Sequence, residues 1–192
     1  MKQTKFNKIG LLGLVVFFIS AAGLWALTEF SAENARRVDL TLKRIGKEKR
    51  STVFLKKITF SQDELNSYLN LIYVKRYSPE VKYIKLNLER NNEVSGIVKI
   101  KLEGAKYDKV PSMFRDIQLE LSGKVECENY RMRFLFENIK LNGTSFSPEM
   151  LDEAFGTAQS RFKVKKSLYD WFNLMPGIKN VIIEYKKIIF FY

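Results

Sequence analysis

The chain has 192 residues, with 33 lysines and arginines against 21 acidic residues, and its net charge is +12. It contains no histidine and a single cysteine, which excludes histidine-dependent catalytic triads, thiolate metal clusters and an intrachain disulfide. The folded part must therefore rest on an apolar core, and we expect no metal, no cofactor and no enzymatic activity.

A long uncharged stretch lies near the N-terminus. Residues 9–27 carry no charge, and Lys2, Lys5 and Lys8 precede them. Nineteen helical residues rise about 28 Å, which is close to the thickness of a bilayer core. We therefore assign residues 1–30 to a cytoplasmic tail and a transmembrane anchor. A cleaved signal peptide is the alternative, because residues 20–23 are small enough for a cleavage site.

The charges on either side of this stretch predict its orientation. Three lysines precede it, whereas Glu29 and Glu33 follow it. The positively charged flank of a membrane span tends to stay in the cytoplasm. We therefore expect a single-pass protein of the inner or cytoplasmic membrane, with its N-terminus inside and its domain in the periplasm or outside the cell. Because that side holds no nucleic acid, we expect no nucleic-acid partner despite the basic composition.

Residues 31–50 predict a basic juxtamembrane stalk. Val38, Leu42 and Ile45 recur at helical spacing and form a narrow apolar stripe. A basic cluster beside a membrane span favours contact with anionic lipid head groups, and a solvated linker helix is the alternative. The cluster consists of Arg36, Arg37, Lys43, Arg44, Lys47, Lys49 and Arg50.

A strand and a capped helix open the exported domain, which we assign to residues 51–192. Residues 51–60 are rich in β-branched and aromatic side chains, as strands are. Ser61 and Glu64 then match the S-x-x-E pattern of a capping box. The helix ends before Pro79. Its apolar face consists of Leu65, Tyr68, Leu69, Ile72 and Tyr73.

Four segments with alternating apolar and polar residues follow the helix. They are residues 81–90, 94–102, 117–127 and 130–141. Turn signals at Asn91-Asn92 and Glu128-Asn129 separate two of the pairs. The pattern predicts an antiparallel meander with one covered and one wet face, and it places Cys127 on the covered face.

A second amphipathic helix is predicted from Ser147, which is a suitable N-cap with proline after it. Its apolar residues are Met150, Leu151, Ala154, Phe155, Ala158 and Phe162. A shorter helical piece with Leu168, Trp171 and Phe172 follows, and a hairpin across residues 186 and 187 ends the chain. The fold class is therefore α+β, with an N-terminal transmembrane helix and then a curved antiparallel sheet packed on two amphipathic helices.

The large apolar residues predict either a filled core or an apolar groove between the sheet and the helices. We expect a groove that binds an apolar ligand or a membrane lipid. Its lining residues are Leu65, Leu69, Ile72, Tyr73, Phe134, Phe136, Met150 and Phe155. A second set is expected to contact the membrane or a protein partner, and it consists of Val110, Met113, Phe114 and Trp171.

The segment ITFSQDELNSYL resembles the strand-then-helix opening of small anchored bacterial envelope proteins related to the tubular lipid-binding (TULIP-like) class. Ser61, Glu64, Leu65 and Asn66 match that opening. The resemblance implies a non-enzymatic domain in which a curved sheet cradles a helix and leaves an apolar groove, and it supplies no catalytic residues. The hypothesis is a lipid-binding envelope protein. The alternative is a structural subunit that docks another envelope protein.

Overall fold

The structure is a computed structural model that describes residues 30–47, 55–104, 108, 115–147, 149, 150, 167 and 169–192. These residues form an α+β fold with antiparallel sheets and helices, as the sequence predicts. The apolar stretch 9–27 lies outside them. Within the described part of the chain, no helix is both long and apolar enough to span a bilayer.

Two helical stretches pack against each other. Helix α1 (Ala32–Ile45) begins at Ser31, whose Oγ accepts a hydrogen bond from the backbone N–H of Asn34 at 3.3 Å. The second stretch joins α2 (Gln62–Tyr68), a π-helical turn (Leu69–Tyr73) and α3 (Val74–Tyr77). We call this continuous stretch, residues 62–77, the bulged helix.

The capping box at the start of the bulged helix is confirmed. Ser61 Oγ accepts a hydrogen bond from the backbone N–H of Glu64 at 3.1 Å. In return, Glu64 Oε2 accepts one from the backbone N–H of Ser61 at 2.8 Å. The helix ends at Tyr77, immediately before Ser78 and Pro79, as predicted.

The described residues contain nine strands in two antiparallel sheets. They are β1 (Lys57–Ser61), β2 (Val81–Leu88), β3 (Glu93–Lys101), β4 (Asp116–Glu128), β5 (Arg131–Leu141), β6 (Thr144–Phe146), β7 (Phe172–Asn173), β8 (Asn180–Glu184) and β9 (Lys187–Phe191). The large sheet has the order β2-β3-β4-β5-β6, with β7 also paired to β5, and the small sheet has the order β1-β9-β8. The predicted meander and terminal hairpin are confirmed.

Two-residue turns connect three strand pairs of the large sheet. Their central residues are 91 and 92, 129 and 130, and 142 and 143, all with φ between 48° and 82°. Tight hairpin turns of type I′ need this left-handed conformation, which asparagine and glycine adopt at low cost. The turn predicted at Asn91-Asn92 is confirmed. The C-terminal turn has Lys186 at φ 57° and lies one residue earlier than predicted.

The prediction of a helical piece through Phe172 is wrong. Phe172 and Asn173 pair with Met132 and Arg131 and form β7 at the outer edge of β5. Hydrogen bonding to a sheet edge overrides the local apolar spacing there. The start of the second predicted helix is partly described, because Ser147 Oγ accepts a hydrogen bond from the backbone N–H of Met150 at 3.3 Å. The remainder of that helix, from 151 onward, lies outside the described residues.

The core lies where the two sheets meet the helices. The large sheet contributes Ile84, Leu86, Leu88, Val98 and Phe134, each at most 1% exposed. The small sheet and α1 contribute Phe60, Ile183, Ile188, Phe190, Val38 and Ile45. The segment predicted to be a separate stalk is therefore helical, but its apolar stripe shares the core of the domain.

Polar contacts hold α1 on the bulged helix. The backbone N–H of Ser31 donates a hydrogen bond to Ser67 Oγ at 3.1 Å. Arg37 forms an ion pair with Glu64, and Asp39 forms one with Arg76 at 3.2 Å. Asp39 and Glu64 are largely buried, whereas Arg37 and Arg76 stay partly exposed, so each pair joins the two helices at the margin of their contact.

Candidate functional site

The predicted groove residues divide into a closed set and a partly exposed set. Leu65, Leu69, Tyr73 and Phe134 are at most 4% exposed and belong to the core. The remaining described members are Ile72 and Phe136, which are partly exposed at the margin of the core, and Met150, which is 59% exposed. Phe155 lies outside the described residues. The structure thus brings six predicted residues together, and two of them reach the surface.

The apolar face of the large sheet is less covered at one end. In successive rows across the strands, Val81 pairs with Ile100 and Ile100 with Ile117, while Leu119 pairs with Leu141. These five residues are partly exposed, although the next residues along the strands toward the centre of the sheet, such as Ile84 and Val98, are fully buried. We call this group, residues 81, 100, 117, 119 and 141, the apolar end.

The apolar end lies beside the point where the described chain begins. The rings of Phe30 and Tyr83 have centroids 5.9 Å apart. Tyr83 is two residues from Val81 in the same strand, and it pairs with Lys99, the neighbour of Ile100. Phe30 therefore lies at the same end of the large sheet as the apolar end.

The connection between β3 and β4 also leaves from this end, because Lys101 pairs with Asp116. Val110, Met113 and Phe114, which we expect to contact a membrane or partner, belong to that connection and lie outside the described residues. The contact predicted for them stays a prediction.

Trp171 lies at the opposite end of the large sheet. Its ring is 4.7 Å from the Arg133 guanidinium carbon and 6.0 Å from that of Arg131. Arg131 pairs with Glu128 at the far end of β4, a strand of 13 residues. A strand of this length spans about 40 Å. The structure therefore separates Trp171 from the ends of the connection with which the sequence prediction grouped it.

Three amide side chains of the bulged helix form hydrogen bonds with the backbone of β2, an edge strand of the large sheet. Oxygens of Gln62, Asn66 and Asn70 accept hydrogen bonds of 2.7, 2.7 and 2.8 Å from the backbone N–H groups of alternate β2 residues, namely Leu88, Leu86 and Ile84. Asn66 and Asn70 also donate to the carbonyls of Leu86 and Ile84. We call these three amides the amide ladder. It occupies the hydrogen-bonding edge of β2 and so closes that edge to another strand.

Sequence reasoning missed the amide ladder, although a signal was present. Gln62, Asn66 and Asn70 recur every four residues on a helix that is otherwise apolar on its inner side. Amides at this spacing on the buried side of a helix indicate a row of backbone partners, because a buried amide needs hydrogen bonds.

The shifted pKa values in the core arise from burial. Burial raises the pKa of the Cys127 thiol to about 11, and a hydrogen bond with the backbone of Val181 opposes the shift. Burial, followed by repulsion from Tyr77, raises the pKa of Tyr73 to about 12. Within the described residues, no group of three or more acidic or cysteine side chains is placed to bind a metal ion.

A polar depression of about 400 Å³ lies at the end opposite the apolar end. Residues of two hairpin turns line it, namely Arg90, Asn91, Glu184, Tyr185 and Lys187. Lys187 and Glu184 form an ion pair of 2.7 Å within it. The hairpins are joined by a hydrogen bond from the backbone N–H of Lys186 to the carbonyl of Leu88, at 2.9 Å.

Comparison with known proteins adds no family to this description. No family model matches the chain, and no curated protein or solved structure matches it significantly.

Proposed function

We propose that this protein is a membrane-anchored, non-enzymatic envelope protein whose domain binds an apolar ligand or a lipid at the apolar end. The main observation in support is the row of partly exposed apolar side chains that runs across three strands from Val81 through Ile100 to Ile117. Ile72 and Phe136 are further partly exposed apolar residues at the margin of the core.

The partial exposure of the apolar end favours a long apolar chain over a small ligand. Burial of one methylene group contributes about 0.8 kcal/mol, so ten methylenes contribute about 8 kcal/mol before the costs of association are subtracted. A short ligand would not offset those costs on a partly exposed surface. An acyl chain that lies across the rows of Val81 and Leu119 meets this requirement.

The test is the uptake of a photoactivatable fatty acid by the full chain in detergent. We expect Ile117→Gln to reduce labelling by about fivefold and the double variant with Leu119→Gln by more than about tenfold, since 1.4 kcal/mol of lost burial is a factor of ten. Gln118→Ala is the matched control, because Gln118 lies between them on the other face of β4. A wild-type protein that takes up no probe, or a Gln118→Ala variant that loses as much labelling as Ile117→Gln, contradicts the proposal.

A docking function is the second candidate, and strand β1 favours it. β1 pairs with β9 on one side, and within the described ranges no strand pairs with its other side. Lys57 and Thr59 are exposed on it. An added strand from a partner protein is a common mode of recognition at such an edge. A photo-crosslinking amino acid at Thr59 captures one protein species under this candidate, whereas one at Ile117 captures lipid under the first proposal.

A further inference from the structure

The path of α1 determines how far the domain can lie from a membrane anchor. Ala35 and Val38 are buried in the core, and the helix is held through Ser31, Arg37 and Asp39 as described above. Among the described residues, the docked part of the chain therefore begins at Phe30, whose ring packs on Tyr83. Three residue steps separate Phe30 from Leu27, the end of the apolar stretch. Three steps of extended chain span at most about 11 Å.

The surface around Phe30 has the composition of a lipid-facing edge. The apolar end lies on one face of the strands there, and Tyr83 and Lys99 lie on the other. Lys82 and Lys101 flank this edge and share Glu103 in ion pairs of 3.1 and 2.9 Å. Further charged residues at this end include Lys85, Glu80, Arg115 and Asp116, and Glu120 pairs with Lys140 at 3.6 Å beside Leu119 and Leu141. Aromatic rings and lysines beside apolar side chains are typical of surfaces at the membrane interface.

We propose that this end of the large sheet, with Phe30, Tyr83, Lys99 and the apolar end, rests on the lipid head groups in a fixed orientation. The inference rests on the anchor of the proposed function, and it adds that the ligand of the apolar end comes from the bilayer itself. The opposite end, with Trp171 and the polar depression, then points away from the membrane.

The test uses the full chain reconstituted in vesicles of phosphatidylcholine and phosphatidylglycerol that contain a lipid with a head-group nitroxide. A fluorophore is attached at Lys99→Cys or at Tyr185→Cys, each in a Cys127→Ser background. Tyr185 is exposed. It lies beside the C-terminal end of β2, and Val81 lies at the other end of that strand, about 25 Å away. We expect loss of most fluorescence at position 99 and no loss at position 185.

A matched variant separates a fixed orientation from simple tethering. A long Gly/Ser insertion between residues 29 and 30 leaves every described contact intact and frees the domain from the anchor. We expect it to restore fluorescence at position 99. Equal loss at both positions, no loss at position 99, or no effect of the insertion would overturn the inference.

Flotation of the vesicles distinguishes the two proposals. One outcome is protein that floats with the vesicles and still loses the same fraction of fluorescence at positions 99 and 185. This result is compatible with the anchor and overturns only the orientation. Protein that does not float overturns both the anchor and the orientation. Fatty-acid uptake in detergent reports on the apolar end independently of either result.

Discussion

Cys127 shows how the position of one side chain in the sheet determines its chemistry. The sequence places it on the covered face, and the structure packs it at the margin of the core with a pKa of about 11. At pH 8 this pKa makes the thiolate fraction about 100-fold lower than in an unperturbed cysteine. We therefore expect maleimide to react about 100-fold more slowly with native protein than with protein unfolded in urea. Equal rates in the two states contradict the buried position.

The same burial predicts a loss of stability at high pH. In the unfolded chain the thiol ionises near pH 9, whereas in the folded protein Cys127 stays neutral up to about pH 11. Above pH 9 the folded state therefore holds more protons than the unfolded state, and the free energy of unfolding falls as pH rises. Tyr73, with a pKa of about 12, extends the fall above pH 10.

The measurement is the urea midpoint as a function of pH. We expect it to decrease steadily from pH 9 upward. We expect Cys127→Ala to remove most of the slope between pH 9 and 10 and to reduce it between pH 10 and 11, where Tyr73 also contributes. A midpoint that is flat over this range, or a slope unchanged in the variant, contradicts the assignment.

Gly123 is required by a close approach of two strands. It lies at a bulge in the pairing of β4 with β5, and a Cβ atom there would overlap the carbonyl oxygen of Leu135. We expect Gly123→Ala to lower the free energy of unfolding by about 1–3 kcal/mol. Gly46 is the matched control, because it has ordinary helical φ and a Cβ there would meet nothing closer than 3.5 Å. An equal effect of the two substitutions in urea unfolding refutes the prediction.

The geometry of the bulged helix affects how well the amide ladder can follow strand β2. Four residues of α-helix rise about 6.0 Å and rotate about 400°, whereas two residues of a strand rise about 6.7 Å without changing face. A regular helix would therefore turn its third amide away from β2. The π-helical turn at Leu69–Tyr73 is wider and rotates less per residue, which reduces this drift at Asn70, and Asn70 accepts the hydrogen bond from Ile84.

Removal of the central amide tests the ladder. Asn66→Leu keeps the number and branching of the side-chain heavy atoms but leaves both the N–H and the carbonyl of Leu86 without their amide partner in a buried place. Each buried polar group without a hydrogen-bond partner lowers the free energy of unfolding by about 1–3 kcal/mol, so we expect urea unfolding to show a decrease of about 2–4 kcal/mol. Asn87→Leu, on the wet face of the same strand, is expected to change stability by less than about 0.5 kcal/mol. A small effect of Asn66→Leu shows that water replaces the amide.

The elements that sequence predicts best are those with a strong local signal. The alternation of apolar and polar residues predicted the bounds of β2 to β5 to within a few residues, and the capping box predicted the start of the bulged helix. The π-helical turn and β7 lack such a signal, because each is defined by contacts with a distant strand: Asn70 accepts a hydrogen bond from the backbone of β2, and β7 pairs with β5. The same limit applies to the site: alternation assigns Phe134 and Phe136 to one face, but only the packed fold shows that Phe134 is closed and Phe136 is not.

At the scale of the whole molecule, the role of α1 decides the arrangement of the protein. In the proposed anchored arrangement, a free stalk would let the domain move away from the membrane, whereas a docked helix would hold it close. The sequence predicts the helix and its apolar stripe correctly, but it assigns the helix to a separate stalk. The reason is that the narrow stripe of Val38, Leu42 and Ile45 suits a solvated helix as well as a docked one. The partners of that stripe come from strands and turns far along the chain, such as the turn at Gly177, whose backbone approaches Ile45.

Two neighbouring side chains of α1 distinguish a docked helix from a free one. Val38 is fully buried, whereas Leu40 is 54% exposed on the same helix. We expect Val38→Ala in the full chain to lower the free energy of unfolding by about 1–3 kcal/mol, from lost burial and a residual cavity, and Leu40→Ala to change it by less than about 0.5 kcal/mol. Alanine is a better helix former than valine or leucine, so helix propensity favours both variants and cannot cause a loss of stability in either. Urea unfolding followed by tryptophan fluorescence measures the difference. If α1 were an independent stalk, neither substitution would shift the unfolding of the domain, and the proposed orientation at the membrane would lose its basis.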